Sequence, residues 1–337
     1  MLRSTPKALL ALLGALLLAA TVFVVDLVCF RPFSLNHFYE KIDTQRAKAT
    51  TDDGVWKLPD GDAYDASMLR TLATTNLAPQ VVHAIAVSEV ARIEAEMTAI
   101  LRAQAELRSG ETPGCAMSRL GRDPRFLYRN TEEGRGAALA DYGRMIDDQL
   151  VRSRTLIGLA PKTGIEVRRV PEFKQATSAA AYCSAPATDD TRPGIFFANL
   201  RAMRAVAKYS MRTIALHEGV PGHHFQSSLA QEMTGVPTFR RVLPFSAYGE
   251  GWVLYAEWLG TEGVYEGDPY GDLGRLNYEI VRAVRLVVDT GIHYKRWTRA
   301  VAIPTCSTRP GLPEGVVVSE AERYIVSPGQ ACTTRSA

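Results

Sequence analysis

Apolar and polar positions change their period along the chain, and the changes divide it. Arg3 and Lys7 open it; Ala8 to Val25 then runs for eighteen residues without a charge until Asp26. Such a run is long enough to span a bilayer as a helix, and a basic leading flank faces the cytoplasm. No small-residue cleavage site follows, and Cys29 lacks the small residues of a lipid-attachment site. Residues 1–29 therefore read as an uncleaved signal or membrane anchor. Phe30 to Asp62 is irregular and turn-rich, with Thr50-Thr51-Asp52-Asp53-Gly54 and Pro59-Asp60-Gly61-Asp62 as punctuation. Residues 30–78 read as a linker and the start of the soluble part.

Helical period begins at Pro79. Val82, Ala86, Val90, Ile93, Met97 and Ile100 recur at steps of three and four, ending near Ser109-Gly110. Thr131 to Leu159 repeats the pattern with Leu139, Tyr142, Met145, Ile146 and Leu150. At Pro161 the period shortens to two. Ile165 to Val170 alternates, and Pro193 to Leu200 reads as a second strand. Helical signals return at Ser210, a candidate N-cap, with Met211, Ile214 and Ala215 facing a core. Ala247 to Gly260 and Gly274 to Trp297 are two further helices. The predicted fold class is mainly α with a small β-layer (α+β).

Chemistry concentrates in Ile214-Ala215-Leu216-His217-Glu218-Gly219-Val220-Pro221-Gly222-His223-His224. It is a near miss to H-E-x-x-H, in which two histidines one helical turn apart hold zinc and the Glu acts on water. Position i+4 from His217 is Pro221; the next histidines fall at i+6 and i+7. On a straight helix His217 and His224 would stand about 10 Å apart along the axis, too far for one ion. Pro221 forbids a straight helix, because it removes a hydrogen bond and clashes with the preceding turn. Looping out two residues would bring His223 to the i+4 place, and looping out three would bring His224. The bland alternative is a helix that ends at Gly219, with the two histidines opening a new one.

A catalytic zinc takes three protein ligands and keeps one position open. Downstream, Glu250 and Glu257 are candidates for the third. They stand seven residues apart on a helix whose other face carries Tyr248, Trp252, Tyr255 and Leu259, so one ion takes only one of them directly. The other would orient a ligand. On the next helix Tyr278, Arg282, Arg285, Asp289 and His293 form one polar stripe along an otherwise apolar body. Either an internal ion-pair network or the wall of a polar cavity accounts for it. As a cavity wall, Arg282 and Arg285 would grip a substrate carboxylate, with Tyr278 beside them, and His293 or a nearby tyrosine would stabilise an oxyanion.

Composition narrows the field further. Lys and Arg number 39 against 36 Asp and Glu, a net charge of +3, which gives no electrostatic case for nucleic acid. The five cysteines are scattered, with no C-x-x-C, which argues against a disulfide scaffold or a cysteine zinc site.

Four segments in order resemble the bacterial domain-of-unknown-function family 885: His-Glu-Gly-Val-Pro-Gly-His-His-Phe-Gln, Tyr-Gly-Glu-Gly-Trp-Val-Leu-Tyr-Ala-Glu, Val-Asp-Thr-Gly-Ile-His and Glu-Arg-Tyr-Ile-Val-Ser-Pro-Gly-Gln. That family is grouped with zincin metallopeptidases whose third ligand is a Glu. The resemblance implies a zincin-like catalytic domain over residues 79–337. It also implies Zn2+ on His217, one of His223 or His224, and Glu250, with Glu218 as general base; His223 is the favoured second ligand. The family's members are usually longer, so the chain is expected to be C-terminally truncated. The expected function is zinc-dependent hydrolysis of peptides at the cell envelope, outside the cytoplasm, the strand near Phe196 to Asn199 pairing with an extended substrate as a sheet edge. The rival expectation is a membrane-tethered, non-catalytic protein with a structural metal site closed by His217, His223, His224 and Glu250.

Overall fold

A computed structural model describes residues 35–333, apart from 190, 244, 310 and 313. The expected anchor at Ala8 to Val25 lies outside the described residues. Among the described residues no helix is long and apolar enough to cross a membrane. The chain divides into two units at Thr51 and Asp52. Of the first, the helix α1 (Leu35–Lys48) is described. It falls inside the stretch read as an irregular linker. Leu35, Phe38, Tyr39 and Ile42 do recur at helical spacing, a short signal that the turn-rich residues after it obscured.

The second unit is mainly helical with one small sheet. In chain order it contains α2 (Gly61–Ala73), α3 (Pro79–Ala103), α4 (Pro113–Leu120) and α5 (Glu132–Ile157). The strands follow: β1 (Ile165–Arg169), β2 (Ala181–Ser184) and β3 (Gly194–Ala198). Then come α6 (Lys208–Ile214), α7 (His223–Glu232), α8 (Thr238–Val242), α9 (Ser246–Leu259), α10 (Pro269–His293), α11 (Arg299–Thr308) and α12 (Glu314–Val326).

The long helices start where side chains satisfy their unpaired N–H groups. Thr131 accepts from Gly134 N and opens α5; Asp268 accepts from Gly271 N and opens α10, with Pro269 in the first turn. Ser210, expected to cap, sits inside α6, whose N-cap is Ala207. The apolar stripe of α3 is buried as its spacing predicts, from Val82 through Met97, with Leu101 completing it while Ile100 is half-buried.

Two cores result. One gathers α3, α4, α10, α11 and α12 around Ile93, Met97, Leu120, Leu276, Ile280 and Val288. The other packs α5, the sheet, α6 and α7 around Tyr142, Phe196, Leu200, Met211 and Phe225. At α10 an apolar stripe alone would leave one side wet; instead residues from Leu286 through His293 are all buried.

The sheet order is β1-β3-β2, with β1 parallel and β2 antiparallel to β3. Two strands were legible from their pattern; β2, only four residues of Ala-Tyr-Cys-Ser, was not. Its insertion corrects one expectation. The strand containing Phe196 is central and paired on both sides, so it has no free edge to offer. The edge strand beside the histidine stretch is β2.

Candidate metal centre

The H-E stretch is not an interrupted single helix. After α6 the backbone widens into a π-helical segment, Ala215–Gly219, whose last bond runs from Val220 N to Ala215 O. The Val220–Pro221 peptide is cis, and α7 begins afresh at His223. The sequence offered a looped-out bulge or a broken helix. The chain takes the break, and the break still brings His217 and His223 together.

Two contacts hold this turn. Trp252 Nε1 donates to Pro221 O at 2.7 Å, tying it to α9. Gly222 lies so close to the preceding turn that an added Cβ would stand 1.9 Å from His217 O. Only glycine permits that approach.

The result is one cluster. His217, His223 and Glu250 each offer a ligand atom, all within 4.8 Å of one another and each half-buried. It is the only such group of three His, Cys, Asp or Glu among the described residues. The two imidazoles stand edge to face with centroids 5.0 Å apart. His223 Nε2 lies 3.8 Å from Glu250 Oε1. His224 points elsewhere: its ring packs where a Cβ on Gly194 would sit, and its Nδ1 meets Ser228 Oγ at 3.3 Å.

Glu257, the other carboxylate of α9, is buried behind His217. Its Oε1 lies 2.6 Å from His217 Nδ1, where the ring N–H donates to it and leaves Nε2 for the cluster. Arg282 forks the same carboxylate, with bonds of 2.8 and 2.7 Å to its two oxygens. Burial alone would raise the Glu257 carboxyl, but Arg282 and His217 hold it below the usual range. Burial, then the neighbouring His217 and Arg282, push His223 down to about 3, so its imidazole is neutral, as a metal ligand must be.

Glu218 sits on the other side of His217. Its Oε2 accepts from Cys183 N at 2.9 Å, and its Oε1 lies 4.0 Å from His217 Nε2. Cys183 is on β2, so the edge strand itself aims the carboxylate. Burial raises the Glu218 carboxyl, and Glu250 adds to that, against the pull of His217. No side-chain pattern announced this contact, because the donor is a backbone N–H.

The polar stripe on α10 divides by position. Arg282 is at the cluster, but its fork is filled by Glu257, so it is not free to grip a substrate carboxylate. Tyr278 is beside it, with the Arg282 guanidinium 5.6 Å from its ring centre. Its hydroxyl makes no hydrogen bond to a described residue. Burial pushes it up to about 12. The other members are structural. Arg285 faces α12, 3.9 Å from Glu320 and over the Tyr324 ring. His293 is fully buried, with both ring nitrogens bonded to backbone: it accepts from Val55 N at 3.2 Å and meets Tyr324 O at 2.9 Å. It stands about 16 Å along the helix from Arg282. The expected roles of His293 as a catalytic group and Arg285 as a substrate-binding group are corrected accordingly. Eleven residues of helix share an azimuth without sharing a site.

The comparison with curated proteins gives no match. Among the similar solved structures are two that are each described as a "putative lipoprotein". The one from Colwellia psychrerythraea is 39% identical with a TM-score of 0.85, over 89% of this chain and 51% of that one. The one from Shewanella oneidensis, described as of unknown function, is 15% identical with a TM-score of 0.72, over 89% of this chain and 56% of that one. The chain thus spans about half the length of either. Residues 34–334 match the model of a family described as bacterial protein of unknown function (DUF885), and the chain belongs to that family.

Proposed function

We propose that this protein binds zinc through His217, His223 and Glu250 and hydrolyses peptide bonds with Glu218 as general base. The observation that carries the reading is the convergence of two imidazoles and a carboxylate within 4.8 Å, beside a second carboxylate anchored by a backbone N–H. The donor set fits: zinc takes His nitrogen and Glu oxygen, and three protein ligands leave a position open. A zinc ion there would supply Lewis acidity toward a carbonyl and make a bound water more acidic.

The chain's own residues do the rest. Glu257 and Arg282 fix the His217 ring and its tautomer. Glu218 takes a proton from the attacking water and passes it to the leaving amine; its raised pKa suits both steps. The Tyr278 hydroxyl donates to the carbonyl oxygen as charge develops on it. On β2 the Cys183 N–H faces away from β3 and is taken by Glu218, so that edge is turned toward the site. The uncharged N-terminal stretch and the description of the relatives as lipoproteins support a place in the cell envelope, with the site outside the cytoplasm.

The closed, non-catalytic metal site finds less support, since its fourth ligand would be His224, which is packed against Gly194. Elemental analysis paired with cleavage of a peptide library separates the readings. Glu218→Gln should keep zinc and lose about 100-fold or more of the cleavage rate; His223→Ala should lose the zinc. Full activity in Glu218→Gln removes Glu218 from its role, and a wild-type chain without zinc removes the metal reading.

A further inference from the structure

Six large apolar side chains stand at the surface between the end of α7 and the first turn of α9. They are Met233, Phe239, Val242, Leu243, Phe245 and Tyr248, each between 48% and 62% exposed. Apolar surface gathered in one short stretch of a folded chain marks a place where something else makes contact. Exposure here is not confined to one face. Of the described residues from Met233 to Ser246, all but Val236 and Arg241 are exposed. No residue of α8 is buried, so that helix turns no apolar stripe to the core. The segment projects, and it is tied at its base: Arg241 donates from Nε and Nη2 to Gln231 O, at 3.0 and 2.6 Å.

Its charge is one-sided. Met233 to Gly249 holds Arg240 and Arg241 and no Asp or Glu; the nearest acids in sequence, Glu232 and Glu250, stand just outside its two ends. Both of those acids are engaged. Glu232 accepts from Lys162 N at 2.7 Å, and Glu250 faces His223 at 3.8 Å. Exposed Arg240 lies beside Phe239, its guanidinium 5.7 Å from the ring centre. An anionic bilayer surface takes up such a projection. Apolar tips enter the acyl boundary, aromatic rings sit at headgroup level, and guanidinium groups meet lipid phosphates. A flat protein face would cover one side of α8, whereas a fluid interface covers all of it.

We propose that Met233 to Tyr248 docks on an anionic lipid bilayer, as a contact separate from the N-terminal stretch. The proposal rests on the envelope location given above and not on the metal chemistry. Tyr248 and Glu250 share the first turns of α9, so docking would hold the metal centre close to the bilayer surface.

Hydrogen–deuterium exchange of the full chain bound to vesicles, read by peptide mass spectrometry, tests the contact. Vesicles of phosphatidylcholine alone are compared with vesicles of equal parts phosphatidylcholine and phosphatidylglycerol. Peptides from 233–246 should exchange about tenfold more slowly in the anionic vesicles, while peptides of α3 exchange alike in both. Leu243→Asp and Arg240→Glu should each abolish that difference. Both side chains are exposed, and unchanged exchange in α3 shows that the fold persists. A bound chain whose segment is not slowed, slowing that is equal in neutral vesicles, or slowing that survives both substitutions overturns the proposal. Slowing that follows protein density at fixed lipid composition assigns the face to a second copy of the chain and overturns it too. A chain that leaves the vesicles altogether overturns the envelope location, and this contact with it.

Discussion

Among single residues, the most instructive pair is Glu250 and Glu257. Both are acidic, on one helix, two turns apart, and only their surroundings separate their parts. Glu250 is half-buried and faces His223; Glu257 is buried and saturated by His217 and Arg282. Glu257→Gln keeps the shape but weakens the acceptor of the His217 N–H. On the proposed reading it should lower zinc affinity about 10- to 100-fold, measured by competition with a chelator. An unchanged affinity would reduce Glu257 to a packing role. His293 teaches the opposite lesson. A histidine on a polar stripe beside two arginines suggested chemistry, yet two backbone partners occupy both of its nitrogens.

The element that matters most is the π segment with its turn into α7. The sequence shows that Pro221 must break the helix, but not in which direction the next one leaves. Direction is set by Gly222 lying against the His217 carbonyl and by Trp252 reaching across from α9. Gly222→Ala would force a Cβ into a carbonyl oxygen at 1.9 Å, so the turn must shift and carry His223 with it. The expected outcome is loss of stoichiometric zinc with far-ultraviolet circular dichroism largely retained, since the long helices do not depend on the turn. Wild-type zinc content in this variant would mean that the turn tolerates the shift without moving the ligand.

Across the whole molecule, the candidate ligands come from three elements: the π segment, α7 and α9. An ion bridging them binds the folded state and not the dispersed chain. Zinc held at about 100 times its dissociation constant should therefore add about 2.7 kcal/mol of stability, and a chelator should remove it. Thermal unfolding with zinc and with chelator checks this; coincident transitions would argue against a site that spans these elements.

The sequence by itself determined the helical periods of α3, α5 and α10, the α+β class, and the concentration of ligand-type residues around His217. These follow from local patterns: spacing of apolar side chains, and the intolerance of a helix for proline. Only the tertiary structure decided that His223 and not His224 joins His217, that Glu257 stands behind the cluster while Glu250 faces it, and that the far end of the α10 stripe is structural. It also decided that a four-residue strand with no signature aims the Glu218 carboxylate through its Cys183 N–H. The physical reason is common to all of them. Each depends on what packs against a side chain from a distant part of the sequence, and spacing along one helix fixes an azimuth but not a neighbour.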